Sequence, residues 1–178
     1  MEACSAHSSP EERVRIRATI LFSAAKQASM SIWKPHVTVA ALVERDGRFL
    51  FVEEHTVDGI RLNQPAGHLD EGESLVSACV REALEETAHS VAVDALVGIY
   101  QWTRPSGDIT YLRFAFACRA LSEEAGRALD EGIIRAVWLT PEELAAQPEC
   151  WRSPLVMQCV QDYLAGQRFP LAVIRHYE

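Results

Sequence analysis

With 178 residues, 48% of them hydrophobic and 24% charged, the chain has the composition of one folded domain with room for a short appendage. A formal net charge of −8 excludes a non-specific nucleic-acid binder, whose surface must be basic, but leaves room for a small polyphosphate, because a bound cation reverses the local field. Five cysteines with no C-x-x-C pair suit buried thiols in a reducing compartment, and no apolar run is long enough to span a bilayer, so the expected location is cytoplasmic.

The first 32 residues read as an N-terminal extension. Ser9-Pro10-Glu11-Glu12 carries helix-start signals, a serine cap, an early proline and a glutamate completing a capping box, and predicts a helix to about Ala28. Arg13, Arg15 and Arg17 beside Ile20-Leu21-Phe22 have the makings of a targeting peptide, but Glu2, Glu11 and Glu12 oppose it. Met30 is a second candidate start. Residues 33–163 are expected to form the domain and 164–178 its C-terminal tail.

Val37 to Val43 is β-branched and apolar on both faces, which predicts an interior strand. Asp46-Gly47 makes a hairpin turn into a second strand, Arg48 to Glu54, and Asp58-Gly59 is a further turn signal. Asn63-Gln64-Pro65-Ala66-Gly67 reads as a loop, because Pro65 and Gly67 disfavour regular structure. Ser74 caps a helix running to Glu86 or Thr87. Val91 to Trp102 and Tyr111 to Cys118 form a hairpin about Ser106-Gly107-Asp108, and Ile133 to Leu139 is a last strand after an acidic loop. Thr140-Pro141-Glu142-Glu143 opens a short helix, and Ser153-Pro154 opens a longer one stopped by Gly166. Strands on both sides of a central helix, closed by another helix, predict an α/β fold of the α+β type with a mixed sheet between helices.

On the central helix, Glu82, Glu85 and Glu86 fall in one arc, while Val76, Cys79, Val80, Ala83 and Leu84 fall mainly opposite. Like charges at these spacings repel, and Arg81 alone among them is basic. Two readings follow: a solvated acidic face, or a cluster gathered by a hard divalent cation, since Mg²⁺ prefers carboxylate and phosphate oxygens.

Gly67, Glu73, Arg81, Glu82, Glu85 and Glu86 stand at the spacing of the Nudix signature, a coincidence of ~10⁻⁷ per register from average residue usage. The chain therefore resembles the Nudix hydrolases. It departs from that pattern at Ala83, usually a larger aliphatic, at Ala88, usually glycine, and at His89, usually aliphatic. Glycine ends a helix cheaply, so Ala88 is expected to alter the helix exit. Asn63 to Leu69, Gln101-Trp102, Leu112-Arg113-Phe114, Arg152-Ser153-Pro154 and Arg168-Phe169-Pro170 extend the resemblance to a phosphatase branch of the family. That resemblance implies an α/β/α Nudix sandwich and Mg²⁺-dependent release of phosphate, with Mn²⁺ as the alternative ion. The implied substrates are nucleoside tri- and diphosphates and thiamine-pathway pyrophosphates, including hydroxymethylpyrimidine pyrophosphate and thiamine pyrophosphate. It also implies Glu82 and Glu86 as metal ligands with Glu85 as a third, and the Ala66 carbonyl as a backbone ligand.

Either Glu82 or Glu85 could accept the proton of an attacking water, while Glu73 and Arg81 read as an ion pair holding loop to helix in support of the chemistry. Glu131, one residue from the place of a further family acid, is either a base or a solvated loop residue. Trp102 is either a stacking surface for a heterocycle or an edge-strand aromatic under a loop. Arg113, Arg152 and Arg168 are candidate phosphate clamps, each with a surface charge as its plainer reading. His36 reads as a satisfied core histidine. The expected partner is a small phosphorylated molecule, with no nucleic acid or membrane, bound by a monomer. The rival functions are nucleotide-pool cleansing, nucleotide-sugar hydrolysis, and nucleotide sensing without turnover.

Overall fold

Asp46 and Gly47 both adopt left-handed backbone, with φ of 53° and 76°, and so form the tight hairpin between strands β1 (His36–Arg45) and β2 (Arg48–Thr56). The computed structural model describes residues 32–177, so the helix expected between Ser9 and Ala28 and the alternative start at Met30 lie outside the described residues. Val39 to Val43 are at most 1% exposed, as expected of an interior strand covered on both faces.

β1 and β2 pair only at Glu44↔Phe49 and Arg45↔Arg48, and then part. From there β1 runs parallel to β6 (Thr110–Glu123) and antiparallel to the short β4 (Ala66–His68), while β2 takes β3 (Gly59–Asn63) and β7 (Ile133–Leu139) as antiparallel neighbours. β5 (His89–Thr103) completes the order β3-β2-β1-β6-β5. The mixed sheet is thus two leaves hinged at one hairpin.

Helix α1 (Leu75–Thr87) covers one face, where Ala78, Cys79 and Ala83 pack with Val39, Ala41 and Phe116. The short α2 (Pro141–Ala145) and α3 (Leu155–Leu164) lie on the other face, where Leu144, Val156 and Val160 pack with Ala40, Leu42 and Phe51. This is the expected α/β/α sandwich with a mixed sheet. Beyond α3, Phe169 exchanges both backbone hydrogen bonds with Leu96 of β5, at 2.8 and 2.9 Å.

Three local expectations change. The loop expected over residues 63–67 shrinks to Gln64 and Pro65: β3 runs to Asn63, and Gly67 lies in β4 opposite Val39. Gly67 serves space rather than turning, as the site shows. Ala88 keeps the left-handed helix exit that glycine usually supplies, with φ of 58° and its N–H bonded to the Leu84 carbonyl at 2.9 Å. A non-glycine residue there costs about 1 kcal/mol; the Ala88 carbonyl accepting from Glu124 N–H at 2.8 Å helps to fix it. Ser153 does not cap α3, whose N-cap is Pro154 with no side-chain hydrogen bond.

Ser74 does cap α1, its hydroxyl accepting from Ser77 N–H at 3.0 Å. Replacing Ser74 by alanine leaves that N–H without its cap, and urea unfolding should show a loss of about 1 kcal/mol.

Candidate active site

Where the two leaves part, a cleft of about 470 Å³ opens. α1 supplies Glu82 and Glu86 to it, β4 supplies Ala66 and Gly67, β5 and β6 supply Trp102 and Arg113, and the approach to α3 supplies Arg152.

A Cβ at Gly67 would overlap the Glu82 carboxylate. The missing side chain therefore lets an acid on α1 lie directly against β4. One residue earlier, Ala66 N–H donates to Glu86 Oε2 at 2.7 Å. Ala66 pairs with Ala40, and the neighbouring bonds Ala41 N–H to Pro65 carbonyl and Leu69 N–H to Val37 carbonyl place Ala66 at a non-bonded rung of this ladder. Its carbonyl hence faces away from β1, on the same side as its N–H.

Arg81 ties these parts together. Its Nη1 donates to Glu82 Oε1 at 2.8 Å and Glu85 Oε2 at 3.0 Å. Its Nη2 donates to Glu73 Oε1 at 2.7 Å and to the His68 carbonyl at 3.0 Å, and its Nε reaches Glu73 Oε2 at 3.2 Å. Glu73 Oε1 also accepts from Asp70 N–H at 2.8 Å. Hydrogen bonding to Arg81 holds the Glu73 carboxyl below its ordinary range, and the Glu73 bond is the main cause that raises Arg81 further above neutrality.

Glu82 and Glu86 are strained electrostatically. Burial pushes Glu82 up despite Arg81. Burial, followed by the charges of Glu82, Glu54 and Asp130, pushes Glu86 up to about 8 against the pull of Ala66 N–H. Among the described residues no ion pair reaches Glu86, and no three acidic, histidine or cysteine side chains close on a common point. The donor set that fits a hard dication is consequently Glu82, Glu86 and the Ala66 carbonyl: oxygens at one cleft, the two carboxylates disfavoured by burial and Glu86 without an ion pair among the described residues.

The other expected residues divide. Glu85 and Glu73 turn to Arg81 and do not line the cleft. Trp102 lines the cleft and stacks on Tyr111 at 6.0 Å and 17°, so it is not hidden under a loop. Arg113 is no surface charge: it is 8% exposed, bonded to Gln64 Oε1 at 3.2 Å and Asn63 Oδ1 at 3.3 Å, and burial lowers its pKa. Arg152 lines the cleft with its Nε 3.7 Å from Glu54 Oε1. Arg168 is not brought there: it sits over the Tyr163 ring at 3.7 Å and donates to the Tyr163 and Gln167 carbonyls. Glu131 is exposed, and the loop acid whose charge is felt by Glu82 and Glu86 is its neighbour Asp130. His36 is exposed rather than in the core, with Nδ1 3.3 Å from His68 Nε2.

Glu54, Thr38, Asn63 and Ser153 also line the cleft and were not singled out by the sequence. In the sequence Glu54 is only the end of the strand expected from Arg48, with no local signal that its side chain reaches a cleft.

Fold and site together define a hydrolase acting on phosphoanhydride bonds, and the chain belongs to the Nudix family: the NUDIX domain matches residues 34–158. It is 42% identical over 144 residues to phosphatase NudJ of Escherichia coli K12, covering 80% of this chain and 92% of that one. Among solved structures it is similar to a NUDIX hydrolase from Nitrosomonas europaea, with 51% identity and a TM-score of 0.79, over 81% of this chain and 98% of that one. A MutT NUDIX hydrolase from Burkholderia pseudomallei shares the fold at 17% identity and a TM-score of 0.63, over 73% of this chain and 98% of the other.

The Glu86 shift has a signed consequence. Its carboxyl titrates near 4.5 when unfolded and near 8 when folded. The folded state therefore holds an extra proton between those values, and stability falls as pH rises through that window. In EDTA, denaturant unfolding of the wild type should show that decline from pH 5 to 8, and Glu86→Gln should flatten it.

Proposed function

We propose that the chain is a Mg²⁺-dependent Nudix phosphohydrolase that releases phosphate from nucleoside tri- and diphosphates and from thiamine-pathway pyrophosphates, with Mn²⁺ able to substitute. The observation that carries this reading is the pairing of two buried carboxylates whose charge burial disfavours, Glu82 held by Arg81 and Glu86 with no ion pair among the described residues, with an outward-facing backbone carbonyl at Ala66 in a cleft walled by an aromatic ring. The phosphatase activity is drawn from the name of the Escherichia coli relative, and the thiamine-pathway substrates from the resemblance noted in the sequence. Residues 33–163 carry the activity in this reading, as a cytoplasmic monomer, with 164–178 as a tail.

Glu82, Glu86 and the Ala66 carbonyl would hold the ion. When bound, it would neutralise charge on the phosphoanhydride and lower the pKa of the attacking water. Glu82 is the better proton acceptor of the two glutamates the sequence left open, because it lines the cleft and Glu85 does not. As the water oxygen bonds to phosphorus and the bridging P–O bond breaks, its proton passes to Glu82 and the bond's electrons leave with the departing oxygen. Arg81 and Glu73 are positioning residues: the guanidinium fixes Glu82 and the carbonyl of His68 in one rigid fork. Trp102 offers the flat face for the heterocycle, and Arg113 and Arg152 supply positive charge for phosphate oxygens.

Phosphate release from nucleotides and thiamine pyrophosphate, with product identity read by ion exchange, tests this. Inorganic phosphate should appear only with a divalent ion, and Glu82→Gln should slow turnover by roughly 10²-fold or more while circular dichroism stays native. Pyrophosphate with a monophosphate as products would move the chain to a different branch of the family. No turnover with any divalent ion would defeat the catalytic reading.

A further inference from the structure

Among the described residues, four buried side-chain polar atoms lack a hydrogen bond, and three of them line the cleft: Thr38 Oγ1, Glu54 Oε1 and Ser153 Oγ. Leaving such an atom dry and unpaired is costly, so three gathered at one cavity point to a ligand that completes them. Thr38 and Ser153 are 6% and 7% exposed. Each could have been satisfied locally, Ser153 most simply by capping α3, yet that helix takes no side-chain cap.

Glu54 and its neighbour part company. Glu53 turns outward and is clasped by Arg135 at 2.7 and 2.9 Å, whereas a register shift between Glu53 and Glu54 in the pairing of β2 with β7 accompanies the inward turn of Glu54. The nearest charge, Arg152 Nε, stands 3.7 Å from Glu54 Oε1, too far to hydrogen-bond it. Burial pushes the Glu54 carboxyl up, and the charges of Arg152 and Arg113 draw it only partly back, so Oε1 stands at the cleft without the hydrogen bond that burial calls for.

We propose that Glu54 is a specificity residue of the cleft, its Oε1 accepting a hydrogen bond from an exocyclic amino group on the substrate's heterocycle, with the hydroxyls of Thr38 and Ser153 completing that subsite. The proposal rests on the reading of the cleft as a site for phosphorylated heterocycles. With the ring against Trp102, an amino group meets the carboxylate favourably, while an oxo group at the same position sets two acceptors face to face. The cleft should therefore select amino-substituted rings over their oxo counterparts.

Matched pairs isolate this edge: cytosine against uracil, adenine against hypoxanthine. Calorimetric binding of the β,γ-methylene analogues of CTP and UTP, with Mg²⁺, reads the subsite without turnover. The wild type should bind the CTP analogue roughly tenfold or more tightly, the size of one charge-assisted hydrogen bond. Glu54→Gln, which donates and accepts equally, should bring the ratio close to one, and Ser153→Ala should weaken both analogues alike. Equal binding of the two analogues by wild type would overturn the proposal, as would a preference that survives in folded Glu54→Gln. Loss of Mg²⁺ affinity in that variant with the preference intact would place Glu54 at the metal instead and equally overturn it. An amino preference that depends on Glu54 in a protein without turnover would support this subsite while defeating the catalytic reading.

Discussion

The cleft exists because two strands that begin as a hairpin stop being neighbours after two residue pairs. Beyond Glu44 and Phe49, β1 spends its hydrogen bonds on β4 and β6, and β2 spends its own on β3 and β7. Each strand thus has other neighbours where the leaves separate, which limits the backbone groups left without a ladder. What the separation leaves between them is space lined from both sides. The left-handed pair Asp46-Gly47 secures the hinge, and the fully buried run Val39 to Val43 anchors the leaf of β1 in the core.

Charge in that space is distributed unevenly. One arginine serves Glu73, Glu82 and Glu85 together, so most of the repulsion along α1 is cancelled within the protein. Glu86 is left outside this arrangement, with only a backbone N–H against it. The buried guanidinium of Arg113 shows the converse, a positive charge faced chiefly by amide oxygens. Opposite charges kept from pairing with one another inside one cavity suit a ligand that brings a cation on one side and phosphate on the other.

Much of this was legible in the sequence. The turn at Asp46-Gly47, the cap at Ser74, the capping box at Thr140 and the strand Ile133–Leu139 are all local signals whose chemistry acts within a few residues. Helix spacing put the three glutamates in one arc, and the resemblance to the Nudix signature added Glu73 and Arg81. Misread were the residues whose role depends on a distant neighbour. Gly67 looked like a loop-former because nothing near it in the chain reveals the Glu82 carboxylate that needs its missing side chain. Arg113 and Arg168 looked alike, yet one lies at the cleft floor and the other on Tyr163. Glu54 was invisible for the same reason: which face of a strand is buried depends on how the leaves separate.

The segment after α3 has its own significance. β5 is the outermost strand of its leaf, and such a strand offers a row of free amide and carbonyl groups to any passing chain. By trading both hydrogen bonds with Leu96, Phe169 occupies part of that row from within the same molecule. At Leu96 the segment thereby acts as a selvedge, closing that point of the sheet's margin.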